Sequence, residues 1–385
     1  MYRDDALARL EAVTPGRGID RYRATLPVKT PILSLGEGDT PLLRSRRLAD
    51  LLRLDDLRFK HEGLNPSGAF KDRLAALAVT LAREAGSRSL LSASSGNLGA
   101  ALAAYCAAAA LPCTILLEPG APAAKIRQTV AAGAYVVPVA GLFAQPPEAI
   151  AALTGEVAAR LDAYHAFAWA PVNPYILEAS KTIAYEVVAQ GGVPDVVVVP
   201  VGGGDTLAAQ WRGYQELHVA GIIEGLPRLV GIQALGAAPL LQAFESGSEH
   251  VPMLADVRSS ISGINIPFSG AHALAAVRAS GGHVAAVSDG EIRAMQARLL
   301  REEGVWAEPV GAATVAALPA LLQEGRVASH ERVVCVLTGA GFKDEVLAAA
   351  RAHAVSARRS VPFSPAAIIE ALQGADPPPA DASLD

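Results

Sequence analysis

The stretch Val196-Val-Val-Val-Pro-Val-Gly-Gly-Gly-Asp-Thr206 decides the fold class. Its β-branched run is continuous rather than alternating, which is typical of a strand buried on both faces of a parallel sheet. The glycines predict a turn, and the pattern of Leu207–Leu217 after them is helical. This order of strand, glycine-rich turn and helix indicates an α/β fold with an open, mostly parallel sheet.

The same order of elements recurs along the chain. Apolar runs that predict strands precede helical patterns at three earlier places: Ser89–Ser92 before Leu98–Ala110, Cys113–Leu117 before Ala123–Ala132, and Tyr135–Val139 before Pro147–Leu161. The runs Leu229–Ala234 and Val333–Leu337 also predict strands. In open α/β folds ligands bind at the carboxyl ends of the strands, so the turns that follow the strands are where functional residues are expected.

Composition limits the class of protein. The 385 residues are 51% hydrophobic and 18% charged, so the chain can form large packed cores. Its length corresponds to roughly two or three domains. The net charge is −5 and no basic block occurs, so we expect neither nucleic acid nor an acidic membrane surface as a partner.

Membrane insertion is not expected either. The uncharged stretch Ser89–Leu117 is long enough to span a bilayer, but Ser94-Ser-Gly-Asn97 and Pro112 interrupt it. We interpret it as strand, loop, helix and strand of a globular domain. The charged N-terminus lacks the apolar stretch of a signal peptide, and we predict a soluble, cytoplasmic protein.

Several kinds of chemistry lack support in the sequence. The three cysteines, Cys106, Cys113 and Cys335, each lie in an apolar run and are interpreted as small buried hydrophobic residues. No histidines are spaced as metal ligands, and no Gly-x-Ser-x-Gly motif occurs. A metal site and Ser/His/Asp hydrolysis are therefore not predicted.

The first candidate for catalysis is Lys71, in the segment Asn65-Pro-Ser-Gly-Ala-Phe-Lys-Asp-Arg73. The helical pattern Leu74–Glu84 follows, so this lysine lies just inside a helix start, where the helix dipole disfavours an ammonium group. The pKa of a lysine held there can be lowered, which suits Schiff-base chemistry. A single lysine is more often a solvated surface residue, so its position alone does not decide the function.

Three further turns carry groups that could bind a ligand. Ser94-Ser-Gly-Asn97 offers hydroxyl and backbone N–H groups at a helix start, which suits an anion, although an ordinary N-cap has the same composition. Gly202-Gly-Gly-Asp-Thr206 lets backbone amides approach a phosphate, but matches neither the P-loop nor the dinucleotide fingerprint. Thr338 places a hydroxyl at the end of a strand, where an ordinary turn residue is the simpler interpretation.

Together these segments resemble the fold-type II pyridoxal 5′-phosphate (PLP) enzymes, which are tryptophan synthase β-like, and among them threonine synthase. Asn65–Arg73 is similar to the motif NPTGSFKDR, and Ser94–Asn97 matches SSGN. Other segments resemble the family in the same order from about Leu33 to Asp344: Gly36–Leu42, Lys125 with Gly133-Ala134, Asn173–Thr182, Trp211–Tyr214, Gly231–Pro239, Gly304–Pro309 and Thr338–Asp344. The resemblance implies two open α/β domains with mostly parallel sheets, PLP as cofactor, a small amino-acid substrate and a homodimer.

The resemblance also implies a division into domains. Residues 1–56 and 140–360 are expected to form a large PLP-binding domain, and residues 57–139 a smaller mobile domain that closes over the substrate. Residues 361–385 are expected to form a short helix at Pro365–Leu372 and a Pro-rich disordered tail.

Each candidate residue has a role implied by the resemblance. Lys71 is expected to carry PLP and to move protons, with Phe70 packed near the cofactor. Asn97 is expected to bind the 3′-oxygen of PLP and Thr338 the pyridine nitrogen, where a neutral hydroxyl favours elimination and replacement over transamination. The two remaining turns are expected to bind anionic groups: Ser94, Ser95 and Gly96 the substrate carboxylate, and Gly202, Gly203, Gly204 and Thr206 the cofactor phosphate. Asp205 belongs to the same cofactor-binding loop, and its side chain is expected to point away from the phosphate, toward a backbone amide.

Departures from the threonine synthase pattern concern the substrate. The positions that bind the phosphate of O-phosphohomoserine in that family are polar there, but are Leu98, Ala170-Pro171, Ile176 and Gly203 here. A buried phosphate without charged donors is strongly disfavoured. We therefore expect a PLP-dependent lyase for β- or γ-elimination or replacement on an amino acid whose leaving group is not a phosphate and lies beside Leu98 and Ile176.

Three alternatives stay open. They are threonine synthase acting on O-phosphohomoserine, a serine/threonine ammonia-lyase, and a non-catalytic PLP-binding pseudoenzyme. The presence of Lys71, Asn97 and Thr338 argues against the last. A visible absorption band that shifts when amino acids are added would distinguish an enzyme from a pseudoenzyme.

Overall fold

The computed structural model describes residues 18–121, 123–344, 346–349, 364–365 and 369. The predicted helix at 365–372 lies largely outside these residues, and the Pro-rich tail lies wholly outside them. The described strands, in chain order, are β1 (Leu42–Arg44), β2 (Asp56–His61), β3 (Ser89–Ala93), β4 (Cys113–Leu117), β5 (Tyr135–Pro138), β6 (Ala163–His165), β7 (Val196–Pro200), β8 (Arg228–Ala234), β9 (His283–Val287) and β10 (Arg332–Leu337).

These strands form two sheets. The larger sheet has six strands in the order β1-β2-β10-β7-β8-β9, and all neighbours are parallel except β1 and β2. The smaller sheet has four parallel strands in the order β5-β4-β3-β6. The predicted α/β class with mostly parallel sheets is therefore confirmed.

Helices alternate with the strands. In chain order the α-helices of the described residues are α1 (Leu48–Leu52), α2 (Lys71–Glu84), α3 (Asn97–Ala108), α4 (Ala123–Ala131), α5 (Pro147–Arg160), α6 (Pro174–Leu177), α7 (Thr182–Gly191), α8 (Asp205–Val219), α9 (Pro239–Glu245), α10 (Ala271–Ala279), α11 (Asp289–Arg298), α12 (Pro309–Ala316) and α13 (Leu318–Gln323). Short 3-10 turns at Gly18–Thr25, Glu62–Leu64, Leu142–Ala144, Glu178–Lys181 and Gly341–Lys343, and a π-helical turn at Leu299–Glu303, complete the described elements.

The strand β7 shows why the continuous apolar run forms a central strand. Successive side chains point to opposite faces of a sheet, so both faces of β7 need apolar residues. Val198 belongs to the apolar cluster of α11 to α13, whereas Val197 belongs to the cluster of α7, α8 and α10. Each such valine, fully buried, contributes about 1.5–3 kcal/mol to folding.

Two strands belong to a different sheet from the one that the predicted domain boundaries imply. Strand β2, expected to open the smaller domain, pairs with β10 in the larger sheet, where Phe59 lies opposite Cys335. Strand β6, expected in the large domain, pairs with β3 in the smaller sheet. Both pairings join segments that are distant in the chain, so local patterns carry no signal for them.

Two further findings concern possible partners. No helix within the described ranges is both long and apolar enough to cross a membrane. Among the same residues, no group of three or more His, Cys, Asp and Glu side chains could hold a metal ion.

Cys106, Cys113 and Cys335 are free and buried, which confirms their interpretation as core residues.

Candidate active site

A cavity of about 510 Å³ is lined by the carboxyl ends of strands from both sheets. Its volume is in the range of small-molecule and cofactor sites. It brings together almost all the residues singled out in the sequence: Phe70, Lys71, Ser94, Ser95, Gly96, Asn97, Leu98, Gly202, Gly203, Gly204, Asp205, Thr206 and Thr338. The turns that are far apart in the chain therefore meet in one place, as expected for an open α/β fold.

Lys71 is the first residue of α2 and faces this cavity. The backbone N–H of Phe70 donates to the carbonyl oxygen of Thr338 at 3.0 Å, which fixes the helix start against the end of β10. Burial lowers the pKa of Lys71, while the carboxylates of Asp205 and Glu308 oppose this effect. The lowered pKa favours the neutral amine, which is the form that attacks a carbonyl carbon.

Glu308 joins several cavity residues. Its carboxylate oxygens each accept a hydrogen bond of 3.0 Å from Nδ2 of Asn97, and Oε1 accepts one of 3.1 Å from the hydroxyl of Thr338. Nζ of Lys125 lies 3.7 Å from Oε2. No role for Glu308 was predicted from the sequence. The only sequence signal for this residue is its place in the segment Gly304–Pro309, which resembles the family.

The turn after β3 presents a helix start to the cavity. The hydroxyl of Ser94 accepts hydrogen bonds from the N–H groups of Gly96 at 3.3 Å and Gly99 at 3.0 Å. The hydroxyl of Ser95 accepts one from the N–H of Glu118 at 2.8 Å, which ties the turn to the end of β4. These bonds hold the start of α3 at Asn97 against the cavity, a position favourable to a carboxylate.

The glycines after β7 are required by close packing. Gly204 has φ +93°, and a Cβ atom there would overlap the Cβ of Ala273. A Cβ on Gly202 would lie 3.1 Å from the carbonyl oxygen of Gly263. The bare backbone leads directly into the N-terminus of the fifteen-residue helix α8, where N–H groups favour a bound phosphate.

Asp205, the first residue of α8, contacts neighbouring residues and also lines the cavity. Its Oδ1 accepts a hydrogen bond of 3.0 Å from the backbone N–H of Ala170, so the side chain contacts a backbone amide. Nε2 of His272 lies 3.0 Å from the same oxygen. The side chain nevertheless lines the cavity, and its charge raises the pKa of Lys71.

The positions expected beside the leaving group do not all reach the cavity. Leu98 and Gly203 line it, whereas Ile176 and Ala170-Pro171 do not. Ile176 is fully buried and belongs to the apolar cluster that includes Leu74 of α2. The expectation that Ile176 lies beside the substrate is therefore not met, because the short helix α6 turns this side chain into the core.

These residues fit PLP. The cofactor needs an amine that reacts with its aldehyde and backbone donors for its phosphate. It also needs hydrogen-bond partners for the nitrogen of its ring and for the oxygen attached to that ring. The cavity offers Lys71, Asn97, Thr338 and the turn Gly202–Gly204 for these purposes. In addition, Oδ1 of Asn97 is buried without a hydrogen-bond partner among the described residues, so it can accept a hydrogen bond from a donor group of a bound ligand.

Comparisons with known proteins agree with this fit. Residues 33–339 match a family model described as pyridoxal-phosphate dependent enzyme. Threonine synthase of Methanocaldococcus jannaschii is 40% identical over 334 residues, which are 85% of this chain and 81% of that protein. Threonine synthase of Mycobacterium tuberculosis strain H37Rv is 39% identical over 359 residues, covering 92% of this chain and 95% of that protein.

Solved structures show the same fold. Maize serine racemase superposes with a TM-score of 0.70 at 20% identity, covering 91% of this chain and 97% of that one. The processed form of threonine deaminase isoform 2 from Solanum lycopersicum superposes with a TM-score of 0.65 at 21% identity, covering 78% of this chain and 83% of that one. The chain belongs to the family of pyridoxal-phosphate dependent enzymes, and its cofactor is PLP.

Proposed function

We propose that the protein is a lyase that eliminates or replaces a group on the β- or γ-carbon of an amino acid, and that this group is not a phosphate. The charged side chains of the cavity carry the proposal. They are two lysines, Lys71 and Lys125, and three carboxylates, Glu118, Asp205 and Glu308. No arginine occurs among the described residues that line the cavity.

Both lysines of the cavity already have a proposed role or a partner. Lys71 is the proposed point of attachment for PLP, and Lys125 lies close to the carboxylate of Glu308. At Leu98 and Gly203 the cavity wall has no polar side chain. A dianionic group needs charge-assisted hydrogen bonds, each worth about 1.5–3 kcal/mol, so the loss of two lowers kcat/KM by about 100-fold or more.

Each part of the cavity has a proposed task in the reaction. When bound, PLP supplies an electron sink that stabilises negative charge at the α-carbon of the substrate. The amine of Lys71 removes the α-proton and returns it, because its lowered pKa leaves a neutral base available. The helix start at Ser94–Asn97 binds the substrate carboxylate.

The remaining residues orient and anchor. Asn97 and Thr338 hold the cofactor ring, and Glu308 positions both through its hydrogen bonds to their side chains. The backbone of Gly202–Gly204 anchors the cofactor phosphate. Thr338 contributes a neutral hydroxyl rather than a carboxylate, which favours elimination and replacement over transamination.

A second candidate is threonine synthase activity on O-phosphohomoserine. The observation in its favour is the 40% identity to a protein of that name over 85% of this chain. The two candidates differ in one measurable property, which is the preference for or against a phosphorylated substrate.

The holoenzyme should be assayed with L-O-phosphohomoserine beside L-O-acetylhomoserine, L-O-acetylserine and L-2,4-diaminobutyrate, with threonine, keto acid and ammonia as measured products. We expect kcat/KM for at least one unphosphorylated amino acid to exceed that for O-phosphohomoserine by about 100-fold. Efficient release of threonine from O-phosphohomoserine would refute the proposal and establish the second candidate.

A further inference from the structure

One wall of the cavity combines a carboxylate with aromatic rings. Oδ2 of Asp205 and Cζ3 of Trp169 each lie 3.1 Å from the position that a Cβ atom on Gly203 would occupy. Because Gly203 has no side chain, both groups border the same space. Phe268 packs edge-on against Trp169 with ring centroids 5.1 Å apart, and also lines the cavity.

Further rings extend this wall. Phe143 and Phe167 line the cavity and belong to the same apolar cluster as Trp169 and Phe268. The faces of aromatic rings carry negative partial charge and attract cations, an effect worth about 0.5–2 kcal/mol per favourable contact. A carboxylate bordered by such rings forms a setting that favours a positively charged ligand.

Asp205 keeps one oxygen for a ligand. The contacts from Ala170 N–H and from His272 Nε2 both reach Oδ1. No described residue donates a hydrogen bond to Oδ2, which is the oxygen beside Gly203. The side chain is 11% exposed, so its charge is only partly screened by water.

The other carboxylates of the cavity are engaged. Glu118 accepts hydrogen bonds from the N–H groups of Gly141 at 2.8 Å and Phe143 at 3.2 Å. Glu308 accepts bonds from Asn97 and Thr338. Asp205 is therefore the carboxylate of the described cavity wall with one oxygen that accepts no hydrogen bond from a described residue.

We infer that the amino-acid substrate carries a positively charged side-chain group, such as an ammonium or amidinium, which binds between Asp205 and the ring of Trp169. A cation there forms a charge-assisted hydrogen bond to Oδ2 and contacts the aromatic wall. An anionic side-chain group of the substrate at the same place meets like charge, whereas the cofactor phosphate is assigned to the backbone N–H groups of the turn. This inference rests on the proposed function, since it names the class of amino acid that the lyase accepts.

His272 offers the competing explanation. If an ion pair with His272 satisfies the charge of Asp205, the pair only supports the chain at Trp169 and Ala170. In that case the charge of a substrate has no effect on binding through Asp205. The two explanations make opposite predictions for ligands that differ only in charge.

Three amino acids of nearly equal size provide the test: L-2,4-diaminobutyrate, L-homoserine and L-norvaline, which end in ammonium, hydroxyl and methyl. Their dissociation constants are measured from the initial change in the visible spectrum of the holoenzyme. We expect the dissociation constant of L-2,4-diaminobutyrate to be lower than those of the other two by about 10-fold or more. Equal binding of the three, or tighter binding of L-norvaline, would overturn the inference.

Two variants locate the effect. Asp205→Asn keeps the shape of the side chain and removes its charge, so the ratios between the three dissociation constants should fall to within about 3-fold. Trp169→Leu keeps the charge and removes the ring, and should weaken L-2,4-diaminobutyrate by about 3-fold or more relative to L-norvaline. PLP content and thermal unfolding of each variant are measured first, because Asp205 adjoins the glycine turn. Equal weakening of all three ligands in Asp205→Asn would show a structural role and overturn the inference.

L-O-Phosphohomoserine is added as a fourth ligand to separate the two proposals. If it binds weakly and the three unphosphorylated amino acids bind alike, the inference about charge fails and the proposed function stands. If it binds most tightly and is converted to threonine, the proposed function itself fails.

Discussion

Asn97 and Glu308 lie 211 positions apart in the chain, yet Nδ2 of Asn97 is 3.0 Å from both carboxylate oxygens of Glu308. Asn97 starts the helix that follows β3 of the smaller sheet, whereas Glu308 immediately precedes α12, which packs on the larger sheet. The same carboxylate accepts a hydrogen bond from Thr338. Glu308 thus couples the two side chains that we expect to hold the cofactor ring.

The variant Glu308→Gln tests this coupling. A neutral amide cannot accept from Asn97 and Thr338 with equal strength, and it leaves the buried charge of Lys125 without its nearby carboxylate. We expect PLP to dissociate about 10-fold more readily and the free energy of unfolding to fall by about 1–3 kcal/mol. Equilibrium dialysis of PLP and urea denaturation measure the two quantities.

Glu156→Gln is the matched control, because among the described residues this exposed glutamate pairs with Arg160 alone, on the surface of α5. It should change the free energy of unfolding by less than about 0.5 kcal/mol. An unchanged PLP affinity in Glu308→Gln would show that Glu308 does not position the cofactor-binding side chains.

The cavity-facing position Leu98 tests the preference against phosphate. Leu98→Thr introduces a hydroxyl group that can donate a hydrogen bond. Leu98→Val introduces a side chain of the same shape as threonine but without the hydroxyl group. We expect Leu98→Thr to raise kcat/KM for O-phosphohomoserine by about 5- to 10-fold relative to Leu98→Val, which corresponds to one neutral hydrogen bond. Equal values for the two variants would mean that this wall does not contact the substrate phosphate.

Most of this cavity could be predicted from the sequence because its residues follow predicted strands. Ser94–Asn97, Gly202–Thr206 and Thr338 all stand at strand ends, and parallel strands bring their carboxyl ends to one edge. Ile176 shows the limit of such reasoning. Its neighbours in the chain match a family segment, but the direction of its side chain depends on how α6 packs against α2, which local sequence does not determine.

The long-range contacts could not be predicted for the same reason. The continuous valine run of β7 identified a buried strand, but nothing local indicated that β2 pairs with β10. Likewise the role of Glu308 depends on two partners, Asn97 and Thr338, that reach it from other parts of the chain. For Asp205 the sequence indicated a backbone amide but not which one, and the partner, Ala170, lies 35 positions away in the chain.

A buried network of charges predicts how stability depends on pH. Arg73 lies 2.6 Å from Oε1 of Glu186 and 2.8 Å from Oε1 of Glu62, and Lys60 lies 2.7 Å from Oε2 of Glu186. Burial alone would raise the pKa of Glu186, but Arg73 and Lys60 lower it from its ordinary value of 4.5 to about 2. A lowered pKa stabilises the fold above pH 4.5, and this stabilisation is lost as the pH falls toward 2.

The variant Glu186→Gln checks this dependence. It should lower the free energy of unfolding at neutral pH by about 3–5 kcal/mol, because Arg73 and Lys60 keep buried charges with one partner fewer. Urea denaturation across the acid range should also show a shallower loss of stability than in the unmodified protein. A variant with unchanged acid dependence would contradict the role assigned to Glu186, and Glu156→Gln again serves as the exposed control.

We also expect the smaller sheet to move when an amino acid binds. The proposed carboxylate site at Ser94–Asn97 follows a strand of the smaller sheet, whereas Gly202–Gly204 follow a strand of the larger one. Closure brings the two turns together around the substrate and excludes water. Crystals of the holoenzyme with and without a bound amino acid should show a shorter distance between them, and an unchanged distance with the carboxylate bound elsewhere would refute the movement.

The attachment of PLP to Lys71 underlies every proposal above, and it has a direct test. The holoenzyme is reduced with borohydride and digested, and the pyridoxyl group is located by tandem mass spectrometry. We expect it on Lys71, and we expect Lys71→Ala to lose the visible absorption band while it retains the thermal unfolding transition. A pyridoxyl group on Lys60, Lys125, Lys181 or Lys343 in place of Lys71 would contradict the assignment of this cavity as the active site.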